Sequence, residues 1–430
     1  MPGGGRLSEL VTRQSERVFF TWTAQKKAAP LEVIGGEGAR FQTAYGDWWW
    51  DLGSTTWNAN LGHGHPAMRA ALTEAASRGL VAGPTAVFPD KARAGELLAE
   101  ITPPGLSKSF LCLSGAEANE NAIKIARLVT GRSKVVSRTR SYHGATLAAL
   151  SISGDPRREP FEPGYPGVVR MTDPYCYRCN FGLSPDSCQR ECAQDLERAL
   201  LEAGPETVAA VIVEGVTGAN GVFPAPPGYF TRLRELCDRY GVLMVADEVL
   251  SGFGRTGKWF AVDHEPVVPD LLTCAKGLTG GYAPGGAVVV HERIARHFDE
   301  ETLLCGLTAY AHPLVCTAIR AAIEAYRADN LIERAAQLGQ WLGERLSVLR
   351  TRPCVGDVRG LGLLWAVELV RPGTREPLDA TGVYNALKRR RVYTHRRDNM
   401  IYLAPPLVIG QEQLDEVVGL LEQALDEGTA

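Results

Sequence analysis

The chain has 430 residues, 45% hydrophobic and 22% charged, with a net charge of −3. That length exceeds one ordinary core and suits two or three packed units. The near-neutral balance argues against nucleic-acid or anionic-membrane partners, no run reaches the ~20 apolar residues of a membrane span, and MPGGGRLSEL lacks an apolar signal core, so a cytoplasmic protein is expected.

Residues 1–30 are expected to form a partly helical arm. Residues 31–62 carry strand and turn signals and an aromatic cluster of Trp48, Trp49, Trp50 and Trp57. From about 64 to 300 short apolar runs alternate with amphipathic stretches. SFLCLSG (109–115), KVVS (134–137), TVAAVIVEG (207–215) and VLMVADE (242–248) read as buried strands. NENAIKIARLV (119–129) and GYFTRLRELCDRYG (228–241) read as helices, the second with Phe230, Leu233, Leu236, Cys237 and Tyr240 on one face. This alternation predicts α/β architecture around a largely parallel sheet. Helices near 315–350, strands at 363–370 and 400–406, and a terminal helix faced by Leu414, Val417, Val418, Leu421 and Leu425 predict a smaller α+β unit. The expected division is an N-terminal segment 1–62 contributing to the small domain, a large domain 63–320 and a small domain 321–430.

Ligands of open α/β sheets bind beyond the carboxyl ends of the strands. Several residues fall there. Ser114, Gly115 and Ala116 open a helix whose free N–H groups suit a phosphate. Asp247 and Glu214 end apolar strands, where an acid needs a partner. Tyr142 offers a flat ring, and Lys276 follows the apolar run 271–275. Each has an ordinary structural reading alone: a common turn, a helix cap or salt bridge, core packing. One cofactor uses all of them. Pyridoxal phosphate has a phosphate, a planar ring, a pyridine nitrogen that an acid keeps protonated, and an aldehyde that a lysine captures as a Schiff base.

DEVLSGFGRTG (247–257), with Lys276 placed 29 residues after Asp247, resembles the class III aminotransferases, also called the omega family. SGAEANENAIKIAR (114–127), SYHGAT (141–146), VEGVTGANGV (213–222), GLTAYAHP (306–313) and APPL (404–407) follow in that family's order. The resemblance implies the fold of type I pyridoxal-phosphate enzymes, with a mostly parallel seven-stranded sheet in the large domain. It implies that Lys276 binds the aldehyde, that Asp247 pairs with the pyridine nitrogen, and that Val249 and Tyr142 cover the two ring faces. Gly115 and Ala116, with Ser114 in the same motif, would hold the phosphate, and Glu214 would sit beside cofactor and substrate. Thr308 would reach the phosphate of a neighbouring subunit, which implies a homodimer or a dimer of dimers with shared active sites.

Four positions depart from the family pattern. Ala116 lacks the usual hydroxyl, a loss of about 1 kcal/mol of hydrogen bonding. Leu250 stands where many members have glutamine. Tyr402 and Ala219 replace the arginine and glutamate of ornithine-type members. Trp57 matches a tryptophan of amine:pyruvate and taurine:pyruvate members and would wall the substrate pocket; its ordinary reading is one more core aromatic. Arg396 and Arg397 lie near a mobile arginine of amine:pyruvate members, or form a solvated loop. The implied activity is transfer of an amino group from an omega-amine or amino acid to a keto acid, with pyruvate the expected acceptor. The alternative is an aminomutase or racemase of the same fold. Apart from this stands C-x2-C-x8-C-x3-C, formed by Cys176, Cys179, Cys188 and Cys192. Its spacing suits zinc or an iron–sulfur cluster; the alternative is a surface loop of reduced thiols.

Overall fold

The computed structural model describes residues 8–429. Seven strands form the central sheet, in the order Leu106–Cys112, Gly286–His291, Leu271–Ala275, Leu243–Asp247, Val208–Glu214, Lys134–Arg138 and Val168–Met171. Six share one direction, and Gly286–His291 runs against both its neighbours. Every residue of Val208–Glu214 and of Leu243–Asp247 is buried. Strands covered on both faces need apolar side chains at every position, which is why these read as continuous runs. Leu243 and Val245 enter one core layer with Phe110 and Ile125, whereas Met244 and Ala246 enter the other with Leu233 and Leu236.

Helices supply both covers. Gly115–Thr130 buries Ala118, Ala122, Ile125 and Ala126 at three- and four-residue spacing. Its end is set by Gly131, whose φ of +67° closes the last turn in the left-handed region. Tyr229–Tyr240 buries Phe230, Leu233, Leu236 and Cys237 of its expected face, while Tyr240 is half-buried.

Two four-stranded sheets and a short antiparallel pairing of Val216–Thr217 with Phe223–Pro224 complete the fold. The strands Val355–Leu361, Leu364–Leu369, Met400–Leu403 and Arg396–Arg397 pair antiparallel in that order. Helix Gln411–Gly428 buries Leu414, Val417, Val418, Leu421 and Leu425, the stripe legible in the sequence. The third sheet joins Val33–Glu37, Arg40–Thr43 and Trp48–Asp51 to Val392–Tyr393, which pairs in parallel with Trp48–Asp51. Of the expected arm, helix Glu9–Arg17 and a short turn at Gln25–Lys27 are present, and residues 1–7 lie outside the described residues. Among the described residues no helix is long and apolar enough to cross a membrane. The shared strand direction brings the carboxyl ends of Leu106–Cys112, Val208–Glu214, Leu243–Asp247 and Leu271–Ala275 to one edge of the main sheet.

Candidate active site

Asp247 ends the middle strand at that edge and is 2% exposed. A carboxylate so buried must be hydrogen-bonded. Asn119 donates from Nδ2 to its Oδ2 at 2.8 Å, and the Val249 N–H donates to its Oδ1 at 3.0 Å. His143 Nδ1 lies 2.6 Å from the same Oδ2. The carboxylate can only accept, so this nitrogen carries the hydrogen. Asn119 is itself fixed: it also donates to the His143 carbonyl at 2.7 Å and accepts from the Thr273 hydroxyl at 2.6 Å. Three elements of the large sheet layer thus hold one carboxylate in one orientation.

Lys276 follows strand Leu271–Ala275 and has a φ of +47°. A non-glycine residue there costs roughly 1–3 kcal/mol, strain that proteins keep at functional sites. Burial pushes its ammonium down from the usual lysine range, opposed by the carboxylates of Asp247 and Glu214. Its Nζ sits 5.9 Å from the centre of the Trp57 ring. Glu214 is 5% exposed and accepts from the Tyr142 N–H at 3.0 Å and the Gly218 N–H at 2.9 Å. Burial pushes its carboxyl up, against the pull of His143 and Arg138.

The start of helix Gly115–Thr130 lies against this group. Ser114 uses its hydroxyl as the cap, accepting from the Glu117 N–H at 3.2 Å. The N–H groups of Gly115 and Ala116 donate to no acceptor among the described residues. A Cβ on Gly115 would lie 2.7 Å from Val249 Cγ1, so glycine lets the helix end approach that valine. Two free N–H groups at a helix start, a valine and a tyrosine, a clamped acid and a lysine therefore come together at the carboxyl ends of the strands. A family model for class III aminotransferases matches residues 22–425.

The chain belongs to the class III aminotransferases. It is 33% identical to a taurine–pyruvate aminotransferase of Bilophila wadsworthia, covering 97% of each chain. A putrescine–pyruvate aminotransferase of Pseudomonas aeruginosa is 34% identical over 93% of this chain and 91% of its own. Among solved structures, a taurine:2-oxoglutarate aminotransferase from Bifidobacterium kashiwanohense, in complex with PLP and glutamate, superposes with a TM-score of 0.94 at 36% identity, covering 97% of each chain. The chain has their fold, an α/β architecture with a mostly parallel seven-stranded sheet, and is a transaminase.

Around the aminotransferase's lysine stand the residues expected to face substrate. Trp57 packs against His395 at 4.4 Å and Tyr402 at 6.0 Å between ring centres. Three of the four residues Ser54, Thr55, Thr56 and Trp57 have positive φ. Tyr402 is fully buried and donates its hydroxyl to the Ala219 carbonyl at 3.1 Å. The two arginines separate. Arg396 is exposed and lies over Tyr384, whereas Arg397 donates to Asp155 Oδ2 at 2.7 Å. Asp155 also holds Arg157, a residue the sequence did not single out. The Arg157 guanidinium lies 4.3 Å from the Tyr142 ring centre and 4.5 Å from that of Trp22. Thr308 is exposed and joins none of these groups within the chain.

The four-cysteine expectation finds no support. All four thiols are free and half-buried, and no group of three or more His, Cys, Asp or Glu among the described residues could hold a metal. Cys188 accepts from Arg190 Nη1 at 3.0 Å, and burial pushes the Cys192 thiol up to about 12.

Proposed function

We propose that this aminotransferase uses pyridoxal phosphate to move an amino group from a short omega-amine with an acid group at its far end to pyruvate. The cleft suits that cofactor: two free N–H groups for the phosphate at Gly115 and Ala116, Val249 and Tyr142 for the ring faces, and the fixed carboxylate of Asp247 for the pyridine nitrogen. When bound, the cofactor supplies an aldehyde that captures amines and a protonated ring that draws electrons from the neighbouring C–H bond. Asp247 would keep the ring nitrogen protonated through its charge, and Lys276 would hold the aldehyde at rest. Its neutral amine would be the base placed to take a proton from the donor's amine-bearing carbon and return it to the cofactor's aldehyde carbon. Burial favours that neutral form. Glu214 lies beside this exchange, and Trp57 and Tyr402 wall the donor.

The observation that carries the donor class is the Arg157 guanidinium between the Trp22 and Tyr142 rings, with Arg397 on the same carboxylate. Charged guanidinium groups there match a carboxylate or sulfonate tail and disfavour a second amine. The similar taurine–pyruvate aminotransferase supports both the tail and the acceptor. Thr308, exposed within one chain, would complete the phosphate seat of a second copy, in a cytoplasmic homodimer. The domain boundaries at 62 and 320 belong to the same proposal.

A donor panel tests it: taurine, β-alanine, 4-aminobutyrate, a diamine and a benzylic amine, each with pyruvate and with 2-oxoglutarate. Acid-tailed donors with pyruvate should give the highest kcat/KM. A preference for the diamine or the benzylic amine would overturn the donor class. Turnover without any keto acid would favour the aminomutase or racemase reading.

A further inference from the structure

Asp155 stands where two parts of the chain meet over the cleft. It follows the helix Leu147–Ile152 of the large sheet layer, and Arg397 comes from the hairpin of the second sheet. Its side chain has no exposure at all. Four hydrogen bonds reach it. Arg157 donates its backbone N–H and Nε to Oδ1, at 2.9 and 2.8 Å, and its Nη2 to Oδ2 at 2.9 Å. Arg397 adds Nη1 to Oδ2 at 2.7 Å. Burial pushes the Asp155 carboxyl up, but Arg157 and Arg397 outweigh it and hold it at about 2. It stays ionised at any working pH.

The geometry leaves one edge of each guanidinium unused. Arg157 Nη1 and Arg397 Nη2 donate to no acceptor among the described residues. The other carboxylate near Arg397 is Asp398, 3.7 Å from Nε and 79% exposed, so water screens it. Two guanidinium charges against the one buried carboxylate leave a single positive charge. A site with one surplus positive charge and two unused N–H edges fits one monoanionic group.

We propose that Asp155 is a positioning residue for the tail subsite: it joins Arg157 and Arg397 into one receptor, with unused edges turned to a singly charged carboxylate or sulfonate. The inference rests on the acid-tail reading above and adds to it the residue that builds the receptor. Asp155 is the carboxylate that holds Arg397 at hydrogen-bond distance, so the second sheet's hairpin becomes part of donor recognition.

The test compares β-alanine with propylamine, which has the same amine and chain without the acid, at fixed pyruvate. Asp155→Asn keeps the shape but loses the charge that orients both guanidinium groups. The expected result is a rise of about tenfold in the KM for β-alanine, and a similar fall in its kcat/KM relative to propylamine, with kcat changed much less. Arg397→Gln should shift the same ratio and leaves Asp155 paired with Arg157, so it remains informative if Asp155→Asn does not fold. Arg157→Gln separates the two levels of the argument. If it abolishes the preference for β-alanine while Asp155→Asn and Arg397→Gln leave the ratio at its wild-type value, the subsite stands and the role of Asp155 is refuted. If Arg157→Gln also leaves the ratio unchanged, the acid-tail reading itself falls.

Discussion

Replacing Asn119 by alanine should damage both the stability of the enzyme and its chemistry, because that side chain is the hub behind Asp247. It is wholly buried. Three hydrogen bonds vanish: to Asp247 Oδ2 at 2.8 Å, to the His143 carbonyl at 2.7 Å and from the Thr273 hydroxyl at 2.6 Å. The bond to the charged carboxylate contributes ~2 kcal/mol and each neutral one ~1 kcal/mol, so the gross loss is about 4 kcal/mol. Water entering the small polar cavity restores part of it, which leaves about 3 kcal/mol. Urea unfolding of wild type and variant, followed by circular dichroism in one buffer, measures the difference. The second readout is kcat, since a carboxylate with one support removed can turn from the ring nitrogen. A variant within about 1 kcal/mol of wild type and with an undiminished kcat would refute the argument that Asn119 holds this carboxylate.

Three further outcomes are expected. Lys276→Ala should abolish turnover and the visible absorbance of covalently held cofactor; retention of either contradicts the assignment. Gly115→Ala places a Cβ 2.7 and 2.9 Å from the two Val249 methyl carbons, an overpacking of ~1–3 kcal/mol, so cofactor titration should show roughly tenfold weaker binding that Val249→Ala recovers. The third concerns acid. The folded-state value of Asp155, about 2, lies below the ordinary 3.8, so its contribution of about 2 kcal/mol is present above pH 4 and is lost as pH falls towards 2. Urea midpoints measured across that range should fall less steeply for Asp155→Asn than for wild type; parallel slopes would remove Asp155 from the account of acid unfolding.

The residues legible in the sequence were those that break a pattern. Lys276, Asp247 and Glu214 are charges at the ends of apolar strands, and such placement is costly enough to announce a partner. Asn119 and Thr273 broke nothing. An amide on a helix and a hydroxyl in a strand are common, and only the fold brings them to one carboxylate. Arg157 was not singled out, because its ring partners Trp22 and Tyr142 both lie earlier in the chain and only the fold brings them to one guanidinium. The cysteine motif shows the opposite limit. Spacing satisfied the pattern for zinc, yet spacing does not fix where sulfur atoms point, and here one thiol is engaged by Arg190. The reversed strand Gly286–His291 was silent for a related reason: direction within a sheet depends on where the chain returns, not on which residues compose the strand.

The parallel pairing of Val392–Tyr393 with Trp48–Asp51 has a bearing on synthesis. On the ribosome the early hairpin emerges with its Trp48–Asp51 side unmatched and stays so until almost all of the polypeptide has been translated. Its backbone groups are then an open invitation to other nascent chains, and tryptophans flank them. Premature termination anywhere before residue 392 leaves that edge bare for good, so truncated products of this gene should be disproportionately prone to clump.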